Sequence, residues 1–118
     1  MQKSQSVVIA DDNLEMCELV TDILTDQGYE VDSVHNGYEL LDYLQTKTPK
    51  VIILDLFMPE KDGISILGTL KEISPYSGII IYTGHEYYEN SVYAKTADRF
   101  VSKTASVKDL IEAVKDLS

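Results

Sequence analysis

Short runs of Val and Ile alternate along this chain with longer amphipathic segments, and this alternation restricts the possible folds more than any other feature. The three strong runs are residues 7–10, 51–54 and 79–82, and weaker ones are residues 29–34 and 99–101. Short, β-branched, apolar runs are typical of strands that are buried on both faces of a parallel sheet. The sequence therefore predicts five strands.

The segments between the runs show helical periodicity, with apolar residues at steps of three and four. They are residues 13–27, 38–47, 63–74 and 106–117, and a weaker segment, 87–96, which contains no Leu or Ile. Ser106 and Asp109 form a candidate capping box at the start of the last helix. The predicted core-facing residues of the first and third helices are Met16, Leu19, Val20, Ile23 and Leu24, and Ile64, Leu67, Leu70 and Ile73.

Five strands that alternate with five helices predict an α/β fold, in which a doubly wound parallel sheet is covered by helices on both faces. The 118 residues suit one domain, because domains average about 150 residues. We therefore expect residues 1–118 to form one domain, either as a stand-alone protein or as part of a longer one. In such sheets ligands bind at the carboxyl ends of the strands.

Polar side chains follow four of the predicted strands. Asp11 and Asp12 follow the first strand, Asp55 the third, Thr83 the fourth and Lys103 the fifth. Three neighbouring carboxylates require a cation to stay ionised together, and oxygen ligands without Cys or His favour Mg²⁺. Lys103 and Thr83 suit a phosphoryl group, which Asp55 is best placed to accept as an aspartyl phosphate. Each residue alone could be a helix cap, a strand residue or a solvated charge, but their shared edge favours a site.

The net charge of −10, from 10 basic and 20 acidic residues, excludes several functions. A strongly negative surface repels phosphate backbones and anionic lipids, so we expect no direct binding to nucleic acid or membrane. No apolar run approaches the roughly 18 residues of a membrane span, and the first residues do not resemble a secretory signal. Cys17 is the only cysteine and is expected to be buried in the first helix. We expect a cytoplasmic protein.

The acidic residues are concentrated in residues 4–46, where there is no Lys or Arg. Two of them belong to the predicted cation site, and most others form a solvated face that could attract a basic partner. The ten acids in this stretch are Asp11, Asp12, Glu15, Glu18, Asp22, Asp26, Glu30, Asp32, Glu39 and Asp42.

Four segments, in order and at matching spacing, resemble the receiver domain of bacterial response regulators. They are VVIADD at residues 7–12, DLFMPEKDG at 55–63, IYTG around Thr83, and ADRFVSK ending at Lys103. The resemblance extends over nearly the whole chain and implies a flavodoxin-like three-layer sandwich with strand order 2-1-3-4-5. It also implies a phosphorylation-dependent signalling switch of a two-component system, and not an enzyme that acts on an external substrate.

The resemblance assigns roles around the predicted metal site. It implies that Asp55 accepts a phosphoryl group from the phosphohistidine of a sensor histidine kinase or phosphotransfer protein. It further implies that Asp12, Asp55 and the backbone carbonyl of Phe57 ligate Mg²⁺, while Asp11 acts mainly through water.

The resemblance also implies how the switch works. Lys103 would pair with one phosphoryl oxygen, Thr83 would bond another on activation, and Phe100, at the aromatic switch position, would turn inward. The changed surface would then bind a downstream protein or output domain, or form a phosphorylation-dependent homodimer.

Three positions bear on how closely the chain follows the family. Thr104 follows Lys103 where the family usually has a proline after a cis bond; a cis bond before a non-proline residue costs about 2.5 to 4 kcal/mol, so this bond is either cis at that cost or trans. Phe57 and His85 stand two residues beyond Asp55 and Thr83, at places that influence how fast the family loses its phosphoryl group.

Three other functions stay open at this point. A pseudo-receiver would bind partners constitutively without phosphorylation. An aspartyl-phosphate phosphatase would usually have a second acid two residues beyond the nucleophile, where this chain has Phe57. A flavin carrier of flavodoxin type would require a Ser/Thr/Gly-rich phosphate loop after the first strand, where Asp11 and Asp12 stand.

Overall fold

Five parallel strands form one sheet in the order β2-β1-β3-β4-β5. The computed structural model describes residues 5–118, apart from the side chains of residues 86 and 87. The strands are β1 (Gln5–Ala10), β2 (Tyr29–Val34), β3 (Val51–Leu54), β4 (Gly78–Thr83) and β5 (Arg99–Ser102). All five predicted strands are present, and the strand order implied by the resemblance is confirmed.

Helices connect the strands: α1 (Leu14–Asp26), α2 (Gly37–Tyr43), α3 (Gly63–Ile73), α4 (Val92–Thr96) and α5 (Val107–Leu117). A side chain caps the start of each of these helices. Asn13 accepts the N–H of Met16 at 3.1 Å, and Asp62 accepts that of Ser65 at 2.8 Å. Ser106 accepts the N–H of Lys108 at 3.2 Å and so caps α5 as predicted. In a capping box it would accept the N–H of Asp109, one residue further along.

The sheet divides the core into two apolar layers, because successive strand residues point to opposite faces. On one face, α1 and α5 cover Val7 and Ile9 of β1. On the other, α2 and α3 cover Val8 and Ala10, together with part of the segment before β5. The predicted three-layer sandwich is therefore confirmed.

Two predicted core residues are not buried. Leu19 of α1 is 51% exposed and Ile73 of α3 is 37% exposed. The buried residues of α1 are Cys17, Val20 and Leu24, which form a narrower stripe than the prediction required. The expected burial of Cys17 is confirmed.

Two helices differ in their bounds from the prediction. The second helix ends at Tyr43, four residues before its predicted end, where a polar segment follows. The weak helix predicted over residues 87–96 is instead a 3-10 helix, Glu86–Asn90, followed by the short α4. The break lies at Ser91, whose backbone is extended and whose hydroxyl accepts the N–H of Ala94 at 3.3 Å to begin a new helix. In the part of the chain described, no helix is long and apolar enough to cross a bilayer.

Candidate functional site

The carboxyl ends of β1 and β3 bring three carboxylates together. Ala10 and Leu54 are partners in the parallel register, so Asp11 and Asp55 leave neighbouring strands side by side. One carboxylate oxygen from each of Asp11, Asp12 and Asp55 lies within 4.8 Å of the others. Asp11 is 1% and Asp55 7% exposed, whereas Asp12 is exposed. The predicted acidic cluster is therefore buried on one side and open to solvent at Asp12.

Lys103 reaches this cluster from the end of β5. Its Nζ lies 2.6 Å from Oδ2 of Asp11 and 3.3 Å from Oδ2 of Asp55. Its backbone N–H donates to the carbonyl of Thr83 at 2.8 Å, which fixes the start of the loop. The bond between Lys103 and Thr104 is trans, because residues 5–118 contain no cis peptide. The lysine thus reaches both buried acids without the family's proline.

Burial and the neighbouring charges determine the ionisation of the site. Burial raises the pKa of Asp55. The positive charge of Lys103 opposes this effect, and the negative charge of Asp11 reinforces it. Burial alone would lower the pKa of Lys103, but its close contact with the Asp11 carboxylate and the charge of Asp55 outweigh burial, and the pKa is raised. The lysine therefore stays charged, whereas the ionised form of Asp55 is disfavoured until a further cation arrives.

One oxygen of the cluster is poorly satisfied. The buried Oδ2 of Asp11 has no hydrogen bond of acceptable geometry within the described part of the chain, although the Lys103 ammonium is in ion-pair contact with it. Buried polar atoms are normally hydrogen-bonded, and exceptions often mark an ion or water site. The oxygen-only donors and this oxygen together fit a hard divalent cation.

Thr83 and Phe100, the predicted switch residues, lie on the adjacent strands β4 and β5. Thr83 ends β4, is fully buried, and its Oγ1 accepts the N–H of His85 at 3.3 Å. Phe100 is the β5 partner of Ile81 and is half-buried against the core layer that α2 and α3 cover. Thr83 is therefore at the carboxyl end of its strand, on the edge of the sheet that carries the acids, whereas Phe100 lies two residues before the end of β5.

Aromatic rings cover one side of the site. Phe57 is 36% exposed, and its ring centroid lies 4.6 Å from that of His85 and 5.5 Å from that of Tyr88. Tyr88 in turn lies 5.9 Å from Tyr93 of α4. We call Phe57, His85, Tyr88 and Tyr93 the aromatic cluster. The two positions that the sequence singled out beyond Asp55 and Thr83 are therefore in contact.

Several contacts of the site were not predicted. A side chain at position 63 would collide with the carbonyl oxygen of Asp55, so Gly63 is required where α3 begins. Tyr82 lies beneath Lys103, whose Nζ is 5.9 Å from the ring centroid. Cys17 Sγ donates to the carbonyl of Asp11 at 3.3 Å. Of these three residues, only Gly63 could have been singled out from the sequence, because it ends the DLFMPEKDG segment. Tyr82 and Cys17 stand at positions typical of ordinary core residues.

The geometry defines a class of protein. A parallel α/β sheet carries buried carboxylates and one ammonium at its strand ends, which suits the transfer of a phosphoryl group to a carboxylate next to a divalent cation. Residues 7–115 match the model of the response regulator receiver domain. The chain therefore belongs to the receiver domains of response regulators, the phosphorylation-dependent switches of two-component signalling.

Individual relatives agree with this assignment. The crystal structure of response regulator protein TrrA from Thermotoga maritima, in complex with Mg²⁺–BeF, is 29% identical, has a TM-score of 0.90, and covers 97% of this chain and 99% of its own. TrrA in complex with histidine kinase ThkA has a TM-score of 0.87 and 29% identity, covering 96% of this chain and 97% of its own. Transcriptional regulatory protein TrcR of Mycobacterium tuberculosis is 27% identical over 94% of this chain and 44% of TrcR. The chain therefore spans less than half of TrcR.

Proposed function

We propose that Asp55 is the phosphoacceptor of this receiver domain. The observation that carries the proposal is its position: Asp55 directly follows the central strand and is buried between the acids that follow β1 and the ammonium of Lys103. A carboxylate in this setting can attack phosphorus, forming an O–P bond as the P–N bond of a phosphohistidine breaks and its electron pair leaves with the imidazole.

The residues present fit a magnesium ion at this place. We propose that Asp12, Asp55 and the backbone carbonyl of Phe57 hold it, and that Asp11 acts mainly through water. The oxygen-only donor set supports this choice, as does the Mg²⁺–BeF complex of TrrA. When bound, the cation would neutralise charge on the transferred group.

The remaining site residues would stabilise the phosphorylated state. Lys103 already contacts Asp55, so its ammonium can pair with a phosphoryl oxygen attached there. Thr83 lies at the end of the adjacent strand and would bond another oxygen, after which Phe100 would turn inward. Because these contacts exist only with the phosphoryl group, they shift an existing equilibrium toward the active conformation.

The partners that we propose follow from this chemistry. The donor would be a sensor histidine kinase or a phosphotransfer protein, as the complex of TrrA with histidine kinase ThkA suggests. Exposed acids at Glu15, Glu18, Asp22 and Asp26 along α1 would favour a basic docking surface. The switch would act on a downstream protein or output domain, or through a homodimer, without itself binding nucleic acid.

We propose a switch and not an enzyme with an external substrate. A phosphatase of this chemistry would use a second acid where Phe57 stands, and Phe57 contacts other aromatic rings there. A pseudo-receiver is the alternative that phosphorylation would exclude. We place residues 1–118, as one domain, in the cytoplasm, whose reducing conditions suit the free thiol of Cys17.

The test is to incubate the protein with acetyl phosphate and Mg²⁺ and to measure its mass. We expect one phosphoryl group per chain, stable in acid and labile in base, and no adduct on Asp55→Asn. Asp42→Asn is the matched control, because Asp42 is exposed on α2, away from the acidic cluster. An adduct that persists in Asp55→Asn would move the acceptor elsewhere, and no adduct on the wild type would favour a pseudo-receiver.

A further inference from the structure

The loop that follows the phosphoacceptor, residues 57–62, is tied at its middle to the junction between β2 and α2. The backbone N–H of Gly37 donates to the carbonyl of Lys61 at 2.6 Å. The side-chain Nδ2 of Asn36 donates to Oε2 of Glu60 at 3.3 Å. Two successive residues of the junction therefore hold two successive residues of the loop.

The amide of Asn36 is fixed in one orientation by three hydrogen bonds. Its Oδ1 accepts the N–H of Glu39 at 2.9 Å and so caps α2. Its Nδ2 donates to Oε2 of Glu39 at 3.2 Å as well as to Glu60. Asn36 is only 9% exposed, so water competes little for these bonds. An amide with both donors and its acceptor in use is a stiff connection between a helix end and a loop.

Glu60 occupies a backbone conformation that requires such support. Its φ is +65°, and among residues 5–118 it is the one non-glycine residue with a positive φ. A non-glycine residue in the left-handed region costs on the order of 1 kcal/mol and persists where surrounding contacts hold it. The bond from Asn36 is such a contact.

Gly37 allows the two backbones to approach closely. A Cβ at this position would lie 2.6 Å from the carbonyl oxygen of Lys61 and 2.7 Å from its Cγ. The oxygen belongs to the loop backbone, so the loop itself would have to move away. Any residue larger than glycine therefore displaces Lys61 from the junction.

The ends of the loop are held by the site. It begins beside Asp55, whose Oδ1 accepts the N–H of Phe57 at 3.5 Å, and it ends at Gly63 against the Asp55 carbonyl. We propose that Asn36 and Gly37 are positioning residues that hold residues 57–62 in the conformation presenting the Phe57 carbonyl to the cation. They would thereby set the Mg²⁺ affinity, an inference that rests on the proposed function for the identity of the cation site.

The experiment measures Mg²⁺ dissociation constants by titration calorimetry, without a phosphoryl donor. Gly37→Ala should weaken binding roughly tenfold or more, a size typical of losing support behind a metal ligand. The matched control is Gly28→Ala. Gly28 has φ +96° at the end of α1 and open space around its Cβ position, so alanine strains the backbone away from the loop. It should lower the melting temperature and leave Mg²⁺ affinity unchanged.

Asn36→Ser provides a test that does not depend on the steric clash. Serine keeps an oxygen able to cap α2 but is too short to reach Glu60. We expect Mg²⁺ affinity to fall severalfold. Wild-type affinity in both Gly37→Ala and Asn36→Ser would overturn the inference while leaving the proposed function intact. A wild-type protein that binds no Mg²⁺ would overturn the proposed function and the inference together.

Discussion

The loop that follows Asp55 and the segment that follows Thr83 are held in different ways. The loop of residues 57–62 is bonded through Glu60 and Lys61 to the junction before α2. The segment of residues 84–96, which follows Thr83, carries three of the four rings of the aromatic cluster. Hydrogen bonds fix direction, whereas ring contacts tolerate a range of tilts. The first loop therefore suits a metal ligand that must stay in place, and the second suits an element that moves.

Burial shows the same contrast. All five residues of α4 are described and none of them is buried. In α5, Leu110, Ala113 and Val114 are buried in the core. Segments with few buried apolar contacts open at low free energy. The part of the chain next to Thr83 is thus the part that a phosphoryl group could reorganise most easily.

The largest expected effect comes from adding one methyl group at Gly63, the residue that follows the first loop, and one at Gly84 in the second segment. Gly63→Ala places a Cβ against the Asp55 carbonyl, and a backbone atom cannot move aside cheaply. We expect a loss of about 3 kcal/mol in the free energy of unfolding, measured by urea denaturation. Gly84→Ala is the matched change in the other loop, where no atom lies within 4 Å of the Cβ position. It should change stability by less than about 0.5 kcal/mol.

Equal losses in Gly63→Ala and Gly84→Ala would show that the two loops do not differ in rigidity. Gly68→Ala, in the exposed middle of α3 with open space around it, controls for alanine in a helix. It should stabilise the protein by about 0.5 to 1 kcal/mol.

Hydrogen exchange should separate the loops next. We expect backbone amides of α4 to exchange on the order of 100-fold faster than the slowest amides of α5, because α4 lacks buried anchors. Adding Mg²⁺ and beryllofluoride, a phosphoryl mimic, should slow exchange in residues 84–96 and leave α5 unchanged. If α4 is as protected as α5, with or without the mimic, the proposed mobility is wrong.

A smaller effect is expected where the two loops touch. Phe57→Ala removes the ring that joins the first loop to His85 and Tyr88, and so opens the approach of water to Asp55. We expect the lifetime of the phosphorylated state to shorten roughly threefold to tenfold, which is the change in rate that corresponds to the energy of one aromatic contact. The decay of phosphorylated protein, followed by mass spectrometry, measures this. Tyr76→Ala, at a residue that is 96% exposed, is the control. Equal decay of the Phe57 variant and the wild type would contradict a role of the Phe57 ring in slowing loss of the phosphoryl group.

The smallest effect concerns how the ionisation of Asp55 changes stability with pH. It is measured in EDTA, so that no divalent cation is bound. Burial raises the pKa of Asp55 in the folded protein, so the folded protein binds more protons than the unfolded chain just above the ordinary aspartate pKa of about 3.9. Stability therefore falls as the pH rises through this window. Asp55→Asn lacks this loss and should melt at a higher temperature at pH 7, with the advantage disappearing below about pH 4. An advantage that is the same at both pH values would contradict the assignment.

The sequence predicted the sheet and the acids because both depend on local pattern. Strand ends follow directly from short apolar runs, and a parallel sheet places all its carboxyl ends at one edge. Asp11, Asp55 and Lys103 could therefore be grouped before any contact was known, and they do meet. The resemblance added the strand order, which the structure confirms.

What the sequence did not predict depends on contacts between distant segments. Leu19 has the correct spacing for the core, but the stripe of α1 that packs on the sheet passes through Cys17 instead. Asn36 and Gly37 stand just before the helix predicted over residues 38–47, and nothing in the sequence indicates a bond from them to Glu60 or Lys61. Such contacts are set by how two loops approach each other, which periodicity does not record.

The order of the strands leaves β2 and β5 at the edges of the sheet, where unpaired backbone groups invite pairing with another chain. The β5 strand is only four residues long, and β2 carries the exposed acids Glu30 and Asp32. Two copies that met through β2 would bring these acids against their counterparts, so the acidic first third of the chain opposes edge-to-edge aggregation. A homodimer formed on phosphorylation would accordingly use a surface other than the β2 edge.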